Sequence, residues 1–140
     1  MPASTPAVAD RYVLDTSAIF CLTEKEKGFE EVKELLREHE SHASFASFME
    51  FYYVNHQEFG EARAEELYQQ LLQLPIQPVE SDPPLGLLAG RIKAGFRLSF
   101  ADAWVAATAE RLNAVLVHKD PELDVLQDRL RMLRLPSKKA

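Results

Sequence analysis

Apolar positions along the chain fall into two rhythms. Tyr12-Val13-Leu14 and Ala114-Val115-Leu116-Val117 are short runs of bulky, partly β-branched residues, suited to strands covered on both faces. Other segments repeat at helical spacing. Phe29, Val32, Leu35 and Leu36 mark a helix ending near His39, and Leu67, Leu71, Leu72 and Leu74 mark one over 62–74, ended by Pro75. The pattern also predicts a helix from about Ser17 to Thr23. A further helix opens at Ser47, carries Phe48, Met49, Phe51, Tyr52, Val54 and Phe59, and stops at Gly60. Ser81-Asp82-Pro83-Pro84 starts a helix with Leu85, Leu88, Ala89 and Ile92 behind it, and Ser99 starts the best-formed one, Phe100 to Leu112. His42-Ala43-Ser44, Ile76-Gln77-Pro78-Val79 and 131–135 read as shorter strands, with Pro78 confining its strand to an edge or end. Strands alternating with helices call for a parallel sheet of four or five strands between helical layers, a three-layer α/β/α domain. The expected limits are a loose tail over 1–10, one domain over 11–136 and a short basic tail over 137–140.

Composition narrows the class. With 140 residues, 46% of them apolar, the chain can bury a real core. No apolar run is long enough for a membrane span, and no charged region followed by a hydrophobic stretch marks a secretory signal. The single cysteine, Cys21, makes no internal disulfide, so a cytoplasmic location is expected. The net charge of −6 argues against a bulk nucleic-acid coat. The charge is uneven, however: Arg129, Arg131, Arg134, Lys138 and Lys139 follow Asp128 with no acid among them, which is either a phosphate contact or simply a solvated end.

Four acids stand where strands end or helices begin: Asp15, Glu50, Asp102 and Asp120. Asp15 closes the first strand and precedes Thr16 and Ser17, a turn-and-cap pair, so it is either a helix cap or a ligand-facing group. Glu50 and Asp102 each lie three residues after a serine, Ser47 and Ser99, and both pairs fit a capping box. Their apolar surroundings nevertheless point each acid toward a partly buried place, where an unpaired carboxylate needs a cation or donors. Asp120 ends a strand as Asp15 does, and its simpler role is to cap the turn begun by Pro121; Glu122 and Asp124 stand nearby to share it. Acids at the carboxyl ends of parallel strands and in first helical turns can meet at one sheet edge. Clustered carboxylates repel, and a hard divalent cation removes that penalty.

These stretches resemble a PIN-domain nuclease, most similar to the VapC-type toxins of bacterial toxin–antitoxin pairs. The likeness runs from about Tyr12 to Leu135. It is carried by Val13-Leu14-Asp15-Thr16-Ser17-Ala18-Ile19, Ser47-Phe48-Met49-Glu50-Phe51, Leu98-Ser99-Phe100-Ala101-Asp102-Ala103-Trp104, and Leu116-Val117-His118-Lys119-Asp120-Pro121-Glu122-Leu123. The last stretch departs from the family pattern, which usually has Thr or Ser at His118 and Phe at Leu123. The resemblance implies a three-layer PIN-like fold and an Mg²⁺- or Mn²⁺-dependent endoribonuclease acting as a toxin. Asp15 and Asp102 would be the main metal ligands, with Asp120 assisting and Glu50 orienting or activating the attacking water. It implies an RNA substrate, a small antitoxin partner and a homodimer. Arg97 and Lys119 are candidate RNA backbone contacts. His118 is expected to be a satisfied or solvent-facing histidine rather than a base. The alternative is a catalytically idle PIN-like module that binds RNA or protein. A phosphatase is disfavoured because Ser17 stands where a second nucleophilic acid would be, and no Gly-rich phosphate loop is present. The aromatic residues crowded between Phe45 and Phe59 exceed what one helix buries against one sheet, so they either face a partner or pack two neighbouring helices.

Overall fold

A computed structural model describes residues 10–137. The chain runs β1 (Arg11–Leu14), α1 (Thr16–Thr23), α2 (Phe29–Glu38), β2 (Glu40–Ser44), α3 (Phe45–Phe59), α4 (Glu61–Leu72), β3 (Gln77–Val79), α5 (Pro83–Gly95), α6 (Phe100–Leu112), β4 (Val115–His118), a 3₁₀ turn (Pro121–Leu126) and β5 (Met132–Arg134). The strands form one parallel sheet in the order β3-β2-β1-β4-β5. β1 lies at its centre, with Val13 opposite His42 on one side and Leu116 on the other.

Alternation along the strands divides the core. Tyr12, Leu14, Val115 and Val117 face one way and pack with Ile19, Val32, Leu35, Phe51 and Leu71 from α1–α4. Val13 and Leu116 face the other way, against Leu85, Ile92, Val105 and Ala106 of α5 and α6 and Leu123 and Leu126 of the 3₁₀ turn. The expected α/β/α layering follows, with Pro78 on an edge strand as anticipated. Alanines 103, 106, 107 and 109 let α6 approach the sheet closely, and all are buried.

Several boundaries differ from the sequence pattern; α4 ends at Leu72 rather than at Leu74, and β5 spans only Met132–Arg134. α3 begins at Phe45 rather than at Ser47, because Ser44 is the cap and its Oγ accepts from the Ala46 N–H at 3.1 Å. β2 is correspondingly longer than His42–Ser44, because its partner β1 pairs with it from Arg11↔Glu40 onward. Among the described residues, the arginines of the basic C-terminal stretch are paired. Arg129 pairs with Glu110, Arg131 with Asp10 and Arg134 with Asp124. Asp10, expected in the loose tail, is therefore tied down; residues 1–9 and 138–140, with Lys138 and Lys139, lie outside the described residues.

Candidate metal centre

Parallel strands send their carboxyl ends to one edge, and β1 and β4 are adjacent, so Asp15 and Asp120 emerge side by side. The Asp15 N–H continues the ladder, donating to the Val117 carbonyl at 2.9 Å. Asp15 is both cap and site residue. Its Oδ2 accepts from the Ser17 N–H at 3.1 Å and the Ser17 hydroxyl at 2.6 Å, starting α1. Its Oδ1 is buried and has no hydrogen-bond partner. Asp102 occupies the first turn of α6, with its N–H on Ser99 Oγ at 3.1 Å, and only 6% of the residue is exposed. Asp120 caps the 3₁₀ turn by accepting from the Glu122 N–H at 2.9 Å.

One carboxylate oxygen from each of Asp15, Asp102 and Asp120 lies within 4.8 Å of the others. Glu50 stands beside this group. It is half-buried, its Oε1 accepts from the buried Thr16 hydroxyl at 2.6 Å, and its charge acts on both Asp15 and Asp102. Since Ser44 caps α3 and the helix starts at Phe45, Glu50 sits well inside it and is no capping residue, which leaves its carboxylate available. Glu122 is exposed and outside the acid group, which includes Asp120.

The cluster is electrostatically costly. Burial pushes the Asp15 carboxyl up to about 6; repulsion from Glu50 and Asp120 adds to this, while the two bonds from Ser17 oppose it. Burial again leads for Asp102, reinforced by Asp15, Asp120 and Glu50 and opposed by the Ser99 hydroxyl, and the result is about 7. Three carboxylates drawn together, with a buried Asp15 oxygen that has no donor, fit a hard divalent cation.

The remaining candidates are placed as follows. His118 is buried, as a satisfied histidine: Nδ1 donates to the Asp120 carbonyl at 3.0 Å, and burial lowers its pKa, which keeps the ring neutral. Arg97 is exposed in the loop before Ser99. Lys119 does not face solvent as a backbone contact requires. Its side chain is 6% exposed and its ammonium lies 3.1 Å from Glu26 Oε1. Thr16 and Ser17, which read as plain turn and cap residues, turn out to bond the site acids. Their signal was only a pair of hydroxyls directly after Asp15.

The model for the PIN domain matches residues 12–128, and the chain belongs to that family. Among solved structures, VapBC-1 from nontypeable Haemophilus influenzae is 23% identical with a TM-score of 0.69, over 89% of this chain and 97% of that one. DNA-bound VapBC from Salmonella typhimurium is 18% identical with a TM-score of 0.72, again over 89% and 97%. Mycobacterium tuberculosis VapC20, described as a sarcin–ricin loop cleaving toxin, is 16% identical with a TM-score of 0.65, over 81% of this chain and 93% of that one. These likenesses concern the fold. No curated protein matches the chain.

Proposed function

We propose that the protein is a metal-dependent endoribonuclease acting as the toxin of a toxin–antitoxin pair. The observation that carries this reading is the convergence of Asp15, Asp102 and Asp120, in which Asp15 also holds a buried oxygen without a hydrogen-bond partner. Asp15 and Asp102 would hold Mg²⁺ or Mn²⁺, with Asp120 joining them directly or through water. A cation bound there acidifies water and stabilises charge developing on a phosphate. Glu50, steadied by Thr16, orients the attacking water and takes its proton. Arg97, exposed near the start of α6, contacts the RNA backbone.

Structural neighbours described as VapBC complexes support an antitoxin partner. A groove of about 690 Å³ between α1, α2 and α4, with Leu36, Phe51, Leu67 and Leu71 among its lining and Lys25, Lys33 and Arg63 also lining it, suits an amphipathic segment carrying acids. A homodimer is the assembly we expect.

RNA incubated with Mg²⁺ or Mn²⁺ tests the reading. The parent should cleave it, and Asp15→Asn and Asp102→Asn should retain about a hundredth of that rate or less. Equal cleavage by all three proteins overturns the assignment. Metal binding without any cleavage would instead favour the idle module.

A further inference from the structure

Lys119 stands between His118 and Asp120, and its side chain turns into the body of the protein. The ammonium is bonded to Glu26 Oε1 at 3.1 Å and the Lys27 carbonyl at 2.8 Å, and it meets Cys21 Sγ at 3.7 Å. Those three contacts use its three donors. The main-chain N–H of Lys119 is also engaged, donating to Ser17 Oγ at 2.8 Å. That same hydroxyl donates to Asp15 Oδ2 at 2.6 Å. Across the turn, the Asp120 carbonyl accepts from His118 Nδ1. The backbone around Asp120 is thus held on both sides, while its carboxylate joins the acid group.

The arrangement is an odd one if it serves stability alone. Desolvating an ammonium and a carboxylate consumes most of their attraction, and packed apolar replacements of such pairs are often neutral or stabilising. Its location explains it better. Through its side chain Lys119 fastens the α1–α2 turn, and through its N–H it fastens Ser17, 102 residues away in sequence. Ligands supplied by different strands need a fixed separation, and carboxylates that repel one another drift apart unless something restrains them.

We infer that Lys119 is a positioning residue for the acid group: latched to Glu26 and Lys27, and bonded through its N–H to Ser17, it holds Asp120 at a cation-sharing distance from Asp15. This inference rests on the metal-dependent reading above and replaces the expectation that Lys119 touches RNA.

The test measures Mn²⁺ affinity by titration calorimetry, the melting temperature in EDTA, and the salt dependence of metal-free RNA binding. The double variant Lys119→Met/Glu26→Gln removes both charges and keeps the bulk. Ser17→Ala breaks the link from the Lys119 main chain to Asp15 at its middle, losing the hydroxyl's bond to Asp15 Oδ2 along with the one from the Lys119 N–H, and serves if the double variant does not fold. Each should bind Mn²⁺ about 10- to 100-fold more weakly. The double variant should melt within a few degrees of the parent and show the parent's salt slope. Parent-like Mn²⁺ affinity in either folded variant overturns the inference, including the case where only the melting temperature falls. A shallower salt slope with unchanged Mn²⁺ affinity makes Lys119 a phosphate contact instead. A parent that binds no Mn²⁺ removes the metal-dependent reading itself, and the inference with it.

Discussion

Asp15 and Asp102 hold protons to about pH 6 and 7, well above where an unfolded chain releases them. Between pH 4 and 7 the metal-free fold therefore binds more protons than the unfolded chain, and these two groups lower its stability as pH rises through that window. Other acids act oppositely at low pH, as Asp82 does, held down to about 2 by Arg111, so a comparison isolates the effect. Asp102→Asn should melt several degrees above the parent in EDTA at pH 8, a gain on the order of a few kcal/mol, and the gap should close near pH 4. Parallel melting curves across pH would refute the electrostatic account. Mn²⁺ should reverse the order at pH 8 by binding the parent more tightly. Much at this scale was legible: a lone acid after a strand and another in an apolar first turn were enough to single out Asp15 and Asp102. Capping and the acid cluster are not exclusive for Asp15, since its Oδ2 caps α1 while its Oδ1 stays buried without a partner and the residue belongs to the acid group. The burial of Lys119 was hidden because Glu26 lies 93 residues away.

Elements were read well where local signals agreed and less well where pairing decided. α6 matched its expected span because Ser99 caps it and Asn113, in the left-handed region at φ 51°, closes it. For α3 the local signal favours a late start, because Ser44 and Ser47 stand one turn apart and only the second is followed by a glutamate at capping distance; the end of β2, where Ser44 pairs with Val79 of β3, selects the first. Gly28, before α2, has φ +99°, and an added Cβ would lie 2.9 Å from Pro136 Cδ. Gly28→Ala should cost about 1–3 kcal/mol, read as a lower denaturation midpoint with an unchanged slope. A midpoint equal to the parent's would show that Pro136 yields freely.

At the scale of the molecule, the aromatic surplus of α3 is divided. Phe48 and Phe51 enter the core, Tyr52 meets Tyr68 of α4, and Phe45 meets Trp104 of α6. Met49 remains 62% exposed and Tyr53 42%, while Phe100 on α6 is 73% exposed. Packing between neighbouring helices thus accounts for part of the segment, and an apolar remainder stays outside. If that remainder joins two copies, the parent should have a dimer's mass by light scattering, and Met49→Asp should halve it. A monomeric parent would discard the dimer and leave the face to another partner.

Because β1 lies between two strands that follow it in the chain, the acid group cannot exist until the chain has been made through Asp120. With 102 residues separating Ser17 from Lys119, a ribosome working at roughly 5–20 residues per second needs roughly 5–20 s to deliver the second half of the centre after the first. During that interval the nascent polypeptide carries Asp15 without its neighbours from later strands, so the acid cluster assembles only once the stretch around Asp120 has been made.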